Sequence, residues 1–195
     1  MIRLCDILFS FFGLLFLSPL FLIVALWIVL DNPGPIFYRQ QRVGKDNKDF
    51  GLLKFRSMRV GADKMSLITI GDRDPRVTRA GYYIRKYKLD ELPQLWNVLI
   101  GDMSLVGPRP EVRRYVDLYT PEQRKVLSVR PGITDYASIE YIDENRLLAQ
   151  SADPDKTYIE EIVPAKIALN MRYINHRTIG EYMKIIFLTF AKIIR

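Results

Sequence analysis

The sequence predicts an α+β protein: a long apolar helix at the start, a mostly helical body with one small β-hairpin, and an amphipathic helix at the end. Three observations predict this. Residues 7–30 carry no charge, residues 36–58 hold two runs of aromatic, β-branched and long apolar residues around a turn-forming GKDNKD link, and most of the remainder shows helical spacing. The natural divisions are a membrane-embedded segment over 1–31, a body over 32–178 and a terminal helix over 179–195.

The first segment belongs in a bilayer. As a straight helix, residues 7–30 would extend about 36 Å at roughly 1.5 Å per residue, enough for a hydrocarbon core of about 30 Å. Arg3 and Asp6 precede the run, Asp31 follows it and Ser18-Pro19 interrupts its middle. Proline removes a backbone hydrogen bond and crowds the preceding turn, while Ser18 can satisfy the freed carbonyl. A simple span and a helix bent back at Ser18 and Pro19 both fit these residues. The run is too long for a signal peptide, and no small-residue cleavage site follows at 31–33.

The formal net charge of +7 and pI near 9.5 suit anionic substrates or an anionic membrane surface. Nucleic acid is the competing partner. No nucleic-acid-binding module is recognisable and the basic residues are scattered through apolar segments, so it is set aside. Cys5 is the only cysteine, which excludes an intramolecular disulfide and agrees with a cytoplasmic body.

Along the body, 36–43 and 50–58 read as the two strands of the hairpin, with Asn47 tolerating a left-handed turn conformation. Lys54 and Arg56, two residues apart, should share a strand face. Helices are expected over 81–88 and 90–100, with Arg85 about one and a half turns before an acidic pair, and Arg76 and Arg79 holding the loop ahead of it. Short helices follow over 121–127 and 143–150, and a longer one over 158–173. His176, the only histidine, has no second ligand to share a metal and reads as a surface residue. Over 179–195, Glu181, Lys184, Lys192 and Arg195 return to one face opposite Ile, Tyr, Met and Phe. Such a helix can pack on the core or lie in the membrane interface, and the interface is preferred.

The chemistry concentrates in KLDELPQLWNVLIGDMSLVGPRP, residues 88–110. Asp90 is a good N-cap, Pro93 falls in a first turn where a missing N–H is tolerated, and Gly101 supplies the stop. Asp90 and Glu91 would then sit at a helix start that favours anions. Adjacent carboxylates can hold a divalent cation, and one can attack phosphorus. Arg109, between two prolines, can offer a fixed fork to phosphate oxygens. A helix cap with a solvated neighbour is the alternative for the same residues.

PIFYRQQRVG (35–44), LKFRSM (53–58), DELPQLWNVLIGDMSLVGPRP (90–110) and VRPGIT (129–134) together resemble the monotopic phosphoglycosyl transferases, the bacterial sugar transferase family, in order and approximate spacing. The resemblance covers most of the chain. It implies transfer of a sugar 1-phosphate from a UDP-sugar to a polyprenol phosphate (undecaprenyl phosphate), with release of UMP, as the first membrane step of glycoconjugate synthesis (exopolysaccharide, capsule, O-antigen or glycoprotein glycan). It also implies Asp90 as nucleophile, Glu91 assisting, Mg²⁺ held by Asp90 and Glu91, and Lys54, Arg56, Arg85 and Arg109 as phosphate or substrate partners. The family's Ser-Pro implies a re-entrant helix broken at Ser18 and Pro19, with the body on the cytoplasmic face of a bacterial inner membrane, against its phospholipids. A homodimer is compatible with it. Two departures stand out: Ile2 occupies the lysine place of a Lys-Arg-x-x-Asp entry motif, and after VRPGIT no arginine follows until Arg146. The competing class is a non-catalytic membrane-anchored scaffold or binding protein of the same fold. Against it stands the presence of Asp90, Glu91, Lys54 and Arg109 together.

Overall fold

The apolar run forms α1 (Ile2–Asp31), which stays helical through Pro19 in a computed structural model that describes residues 1–62 and 74–194, the side chains of 145, 146, 149, 193 and 194 apart. The Ser-Pro pair therefore does not end the helix. Pro19 cannot donate to the Leu15 carbonyl, and the Ser18 hydroxyl donates to that oxygen instead at 2.8 Å. Among the described residues α1 is the one helix long and apolar enough to cross a membrane.

One stripe of α1 packs on the body along its whole length. Near its start Arg3 donates to the carbonyls of Val98 and Leu99 at 2.5 and 2.9 Å. Asp6 is buried against residues 104, 105 and 182. Toward its end Val24 and Ile28 join a core with Phe55, Ala80 and Ile84, and the Asp31 carboxylate accepts from the Ala80 N–H at 2.9 Å. The opposite stripe, including Leu8, Phe12, Phe16, Ile23 and Leu26, is exposed.

The hairpin pairs β1 (Phe37–Val43) antiparallel with β2 (Asp49–Phe55). Its link is a 3₁₀ turn in which Asp46 and Asn47 take φ of 55° and 61°. β2 stops at Phe55, short of the expected 58, because the next residues turn toward another partner: Met58 bridges Val77. A second, parallel pair, β3 (Ser104–Val106) with β4 (Gly132–Thr134), was not expected from the sequence. Three-residue strands are too short to show alternation.

The helices differ from the expected ones in instructive ways. α2 (Arg79–Lys86) begins two residues early because Thr78 caps it, accepting from the Gly81 N–H at 2.9 Å. The helix expected over 90–100 is split: a 3₁₀ turn over Leu89–Glu91 leads to α3 (Gln94–Ile100), with Pro93 as its N-cap residue. Pro93 has no N–H for the Leu89 carbonyl, so the Leu92 N–H takes that oxygen in a tighter turn at 3.2 Å. Asp90 is thus not the helix cap. Gly101 does stop α3, at φ 101°.

Beyond β3 come α4 (Arg113–Val116), a 3₁₀ turn over Gln123–Ser128 where a helix over 121–127 was expected, α5 (Tyr136–Glu140), α6 (Glu144–Ala149) and α7 (Pro154–Thr157). The long helix opens with a π-turn over Tyr158–Ile162, as Pro164 cannot donate to the preceding turn, and continues as α8 (Val163–Asn175). α9 (Ile179–Ile194) packs one face on the core and leaves the other uncovered. Tyr182 and Ile185 are fully buried with Val106 and Tyr173, whereas Met183, Phe187 and Phe190 are exposed. His176 is exposed at the end of α8.

Candidate functional site

The 3₁₀ turn Leu89–Glu91 presents two neighbouring carboxylates with opposite fates. Glu91 is ion-paired on both oxygens. Arg109 forks onto it, Nη1 donating to Oε2 at 3.1 Å and Nη2 to Oε1, while Lys54 Nζ donates to Oε1 at 3.3 Å. Asp90 is buried at 9% exposure and has no hydrogen-bond partner among the described residues.

The electrostatics follow from those surroundings. Burial pushes the Glu91 carboxyl up, but Arg109 and Lys54 outweigh it and hold the group well below the usual carboxylate range. Arg109 is held strongly in its charged form, chiefly by Glu91. Burial lowers the Lys54 ammonium even with Glu91 beside it. For Asp90, burial and then the Glu91 charge push the carboxyl up, opposed by the charges of Lys54, Arg85 and Lys88. A carboxylate with no donors and a raised pKa is basic and poorly solvated, the state that favours attack on an electrophile.

Each partner is placed by its own scaffold. Lys54 comes from β2, and that strand is docked on α3 by Asn97, whose Oδ1 accepts from the Leu53 N–H and whose Nδ2 donates to the Gly51 carbonyl, both at 2.9 Å. Arg109 follows β3, and its backbone N–H donates to the Asp135 carboxylate at 2.9 Å. Asp135 is fully buried, and its other oxygen accepts from the Ser138 N–H at the start of α5. Sequence reasoning missed both positioning residues. Asn97 did leave a signal, a lone amide inside the apolar run LWNVLI, where a buried polar group demands partners. It also missed the neighbouring network in which Glu111 pairs with Arg42 at 3.9 Å and Lys166 at 3.8 Å and accepts from the Tyr158 hydroxyl.

The structure brings Asp90, Glu91, Lys54 and Arg109 together and puts Arg85 within electrostatic reach of Asp90. Arg56 is not with them. It lies one residue past β2 and donates to the carbonyls of Asn32 and, at 3.3 Å, Pro33, tying down the exit of α1. Arg76 grips Asp74, with Nε to Oδ1 at 2.9 Å, in keeping with a loop-holding role. Ser18 and Pro19 lie in α1, apart from this cluster. Arg195 is outside the described residues.

The family model described as bacterial sugar transferase matches residues 1–195. Over 194 residues the chain is 40% identical to a UDP-N-acetylgalactosamine-undecaprenyl-phosphate N-acetylgalactosaminephosphotransferase of Aeromonas hydrophila, covering 97% of this chain and 42% of that protein. It is 34% identical over 194 residues to a UDP-glucose:undecaprenyl-phosphate glucose-1-phosphate transferase of Escherichia coli (strain K12), covering 96% and 39%. It is 39% identical over 192 residues to the exopolysaccharide production protein PSS of Rhizobium leguminosarum bv. phaseoli, covering 95% and 90%. The chain spans about two fifths of the first two relatives and most of the third.

Proposed function

The chain belongs to the bacterial sugar transferase family, and from that premise we propose that it transfers a sugar 1-phosphate from a UDP-sugar to undecaprenyl phosphate and releases UMP. The observation that carries this reading is the buried Asp90 carboxylate, without a donor among the described residues, beside a Glu91 already neutralised by Arg109 and Lys54.

In the proposed mechanism an Asp90 oxygen forms a bond to the sugar-bearing phosphorus while the bond to the UMP oxygen breaks, and UMP leaves with the electron pair. A phosphate oxygen of the lipid then attacks the same phosphorus, and the bond to Asp90 breaks and restores the carboxylate. Two anions meet at phosphorus in each step. The positive charge of Lys54, Arg85 and Lys88 acting on Asp90, with Arg109 on the neighbouring Glu91, offsets that repulsion. Glu91 keeps Arg109 and Lys54 oriented and their net charge moderate.

The donor set suits Mg²⁺ through Asp90, since Mg²⁺ uses one or two protein carboxylates and completes its shell with phosphate oxygens and water. Among the described residues there is no cluster of three or more acidic, His or Cys groups. Glu91 Oε2 accepts one bond, from Arg109, and keeps a lone pair with which it could join that shell. Bound there, the ion would neutralise the diphosphate.

The same reading includes the membrane. Arg3 and Asp6 at one end of α1, and Asp31 at the other, are bonded to the same body, which supports a helix that enters and leaves on one face. Trp27 stacked on Tyr83 at 5.8 Å, with Tyr87, Trp96, Phe187 and Phe190 exposed, suits the headgroup zone of an inner-membrane leaflet, the body on its cytoplasmic side.

The test is UMP release by the purified full chain in detergent with undecaprenyl phosphate, Mg²⁺ and a panel of UDP-sugars. No UMP with any sugar would favour the scaffold reading. For topology, a cysteine at residue 2 in a Cys5→Ser background should resist an impermeant thiol reagent applied outside intact cells. Labelling there would support a simple span.

A further inference from the structure

Three successive residues, Thr134, Asp135 and Tyr136, join α9 to Arg109. Thr134 ends β4 and Asp135 is extended, so side chains alternate across this stretch. The outer two meet α9. The Thr134 hydroxyl lies 2.7 Å from the Thr189 hydroxyl, and the Tyr136 hydroxyl donates to the Glu181 carboxylate. Thr189 commits its own proton to the Ile185 carbonyl at 2.8 Å, so Thr134 is the donor in the first pair. The middle residue, Asp135, instead accepts from the Arg109 N–H at 2.9 Å.

The Arg109 backbone is suspended between two holds. After it, the Pro110 carbonyl accepts from Arg42 at 3.2 Å and the Glu111 carbonyl from the Val43 N–H at 2.8 Å, both on β1. Before it, the Gly107 N–H donates to the Thr134 carbonyl at 3.0 Å and the Pro108 carbonyl accepts from the Gly132 N–H at 2.9 Å. Residues 107–109 thus lie along 132–135, so close that a Cβ on Gly107 or Gly132 would collide with the facing backbone. This second hold is the one that continues to α9, and α9 is itself fixed by Tyr182 on Asp6 of α1. The Tyr136 ring is flanked by Arg172 of α8 and Lys184 of α9, at 5.8 and 5.9 Å, which keeps its hydroxyl aimed at Glu181.

We propose that Thr134 and Tyr136 are positioning residues for the transfer: through them α9 places the Asp135 carboxylate, and Asp135 places the Arg109 fork. Neither residue touches substrate. A forked guanidinium has a narrow working geometry, and a displacement of about 1 Å at a charge-stabilising group can cost on the order of 10²-fold in rate. This inference rests on the transferase reading and assigns part of the support of that site to the terminal helix.

The test uses the full chain in lipid nanodiscs. Tyr136→Phe keeps the ring and removes the bond to Glu181. Thr189→Val removes the acceptor of Thr134, and Thr189→Ser keeps it. The two links are separate, so either variant suffices if the thermal midpoint shows that the other does not fold. Because Pro108 and Pro110 carry no N–H, hydrogen exchange over residues 107–111 reads the amides of Gly107, Arg109 and Glu111 alone. Exchange there should quicken several-fold in Tyr136→Phe and in Thr189→Val, and kcat for UMP release should fall about three- to tenfold with KM kept. Thr189→Ser should restore both. In an Arg109→Lys background, where the fork is already lost, neither variant should lower turnover further. Drops that multiply in that background, or exchange that does not change, overturn the positioning role and leave the transferase reading standing. Absence of UMP from the unmodified chain with every UDP-sugar counts against the transferase reading, while exchange still judges the link by itself.

Discussion

Asp6 and Asp90 are both buried carboxylates, at 1% and 9% exposure, and they are treated in opposite ways. Where α1 meets β3 and α9, one oxygen of Asp6 accepts from the Ser104 hydroxyl, the Leu105 N–H and the Tyr182 hydroxyl, each at 2.9 Å. In the turn Leu89–Glu91, Asp90 has none among the described residues. A buried charge saturated with donors is inert and fastens elements together, whereas one kept bare is held at a cost to the folded state and stays available to react. On the proposed mechanism the contrast separates a structural carboxylate, Asp6, from a reactive one, Asp90, although both residues read as the same type in sequence.

The largest expected effect separates the two outright. Asp90→Asn keeps the size of the side chain and removes its nucleophilic charge. Turnover should fall by on the order of 10⁴-fold or more, with no phospho-sugar adduct in intact-protein mass spectrometry. Because the charged form of Asp90 is disfavoured by folding, the thermal midpoint should hold or rise. An adduct on that variant, or one mapped to Glu91 in the unmodified chain, would break the comparison.

Next in size is the neighbour's partner. Arg109→Lys keeps the charge and loses the fork onto Glu91, so turnover with a UDP-sugar should drop by about 10²-fold. Unchanged turnover would mean that the bidentate pair is dispensable.

Asp6→Ala should do the reverse of Asp90→Asn. Three donors lose their acceptor, and denaturant unfolding in micelles should show a loss of about 2–4 kcal/mol. Adduct formation by the folded fraction should be retained. If adduct disappears while the fold survives, Asp6 has a part in the chemistry and the division fails.

The smallest effect sharpens the electrostatic account. Adduct formation needs ionised Asp90, so its rate should rise with pH through the raised Asp90 pKa. In Glu91→Gln one like charge beside Asp90 is gone and Lys54 is left unpaired, and both changes favour the carboxylate. The acidic limb of the adduct rate should therefore move to lower pH. For stability the two groups act with opposite sign. Glu91, depressed, stabilises above its unfolded pKa and loses that contribution as pH falls toward its folded value. Asp90, raised, stabilises only in its protonated form, a contribution lost as pH rises through its folded pKa. An acidic limb that moves upward would show that Glu91 does not raise Asp90.

By itself the sequence determined the features that depend on neighbours along the chain. Uncharged residues 7–30 could only be a long apolar helix, Ser18 beside Pro19 had a freed carbonyl within reach, Asn47 could turn left-handed and Gly101 could end α3. It also supplied the acidic pair and the basic partners Lys54 and Arg109 as residue types with the right chemistry. Only the tertiary structure decided which of them meet. Arg56, two residues from Lys54, turns to the carbonyls after α1, and Asp90 gives up the cap that its position suggested to a proline. β3 and β4, 28 residues apart, pair through short strands that carry no periodic signal, and Asn97 and Asp135 act through bonds to segments 44 and 26 residues away. The physical reason is range. Propensity, capping and turn chemistry act over a few residues, whereas ion pairing, desolvation and the satisfaction of buried polar groups depend on what packing brings within about 4 Å, however distant along the chain.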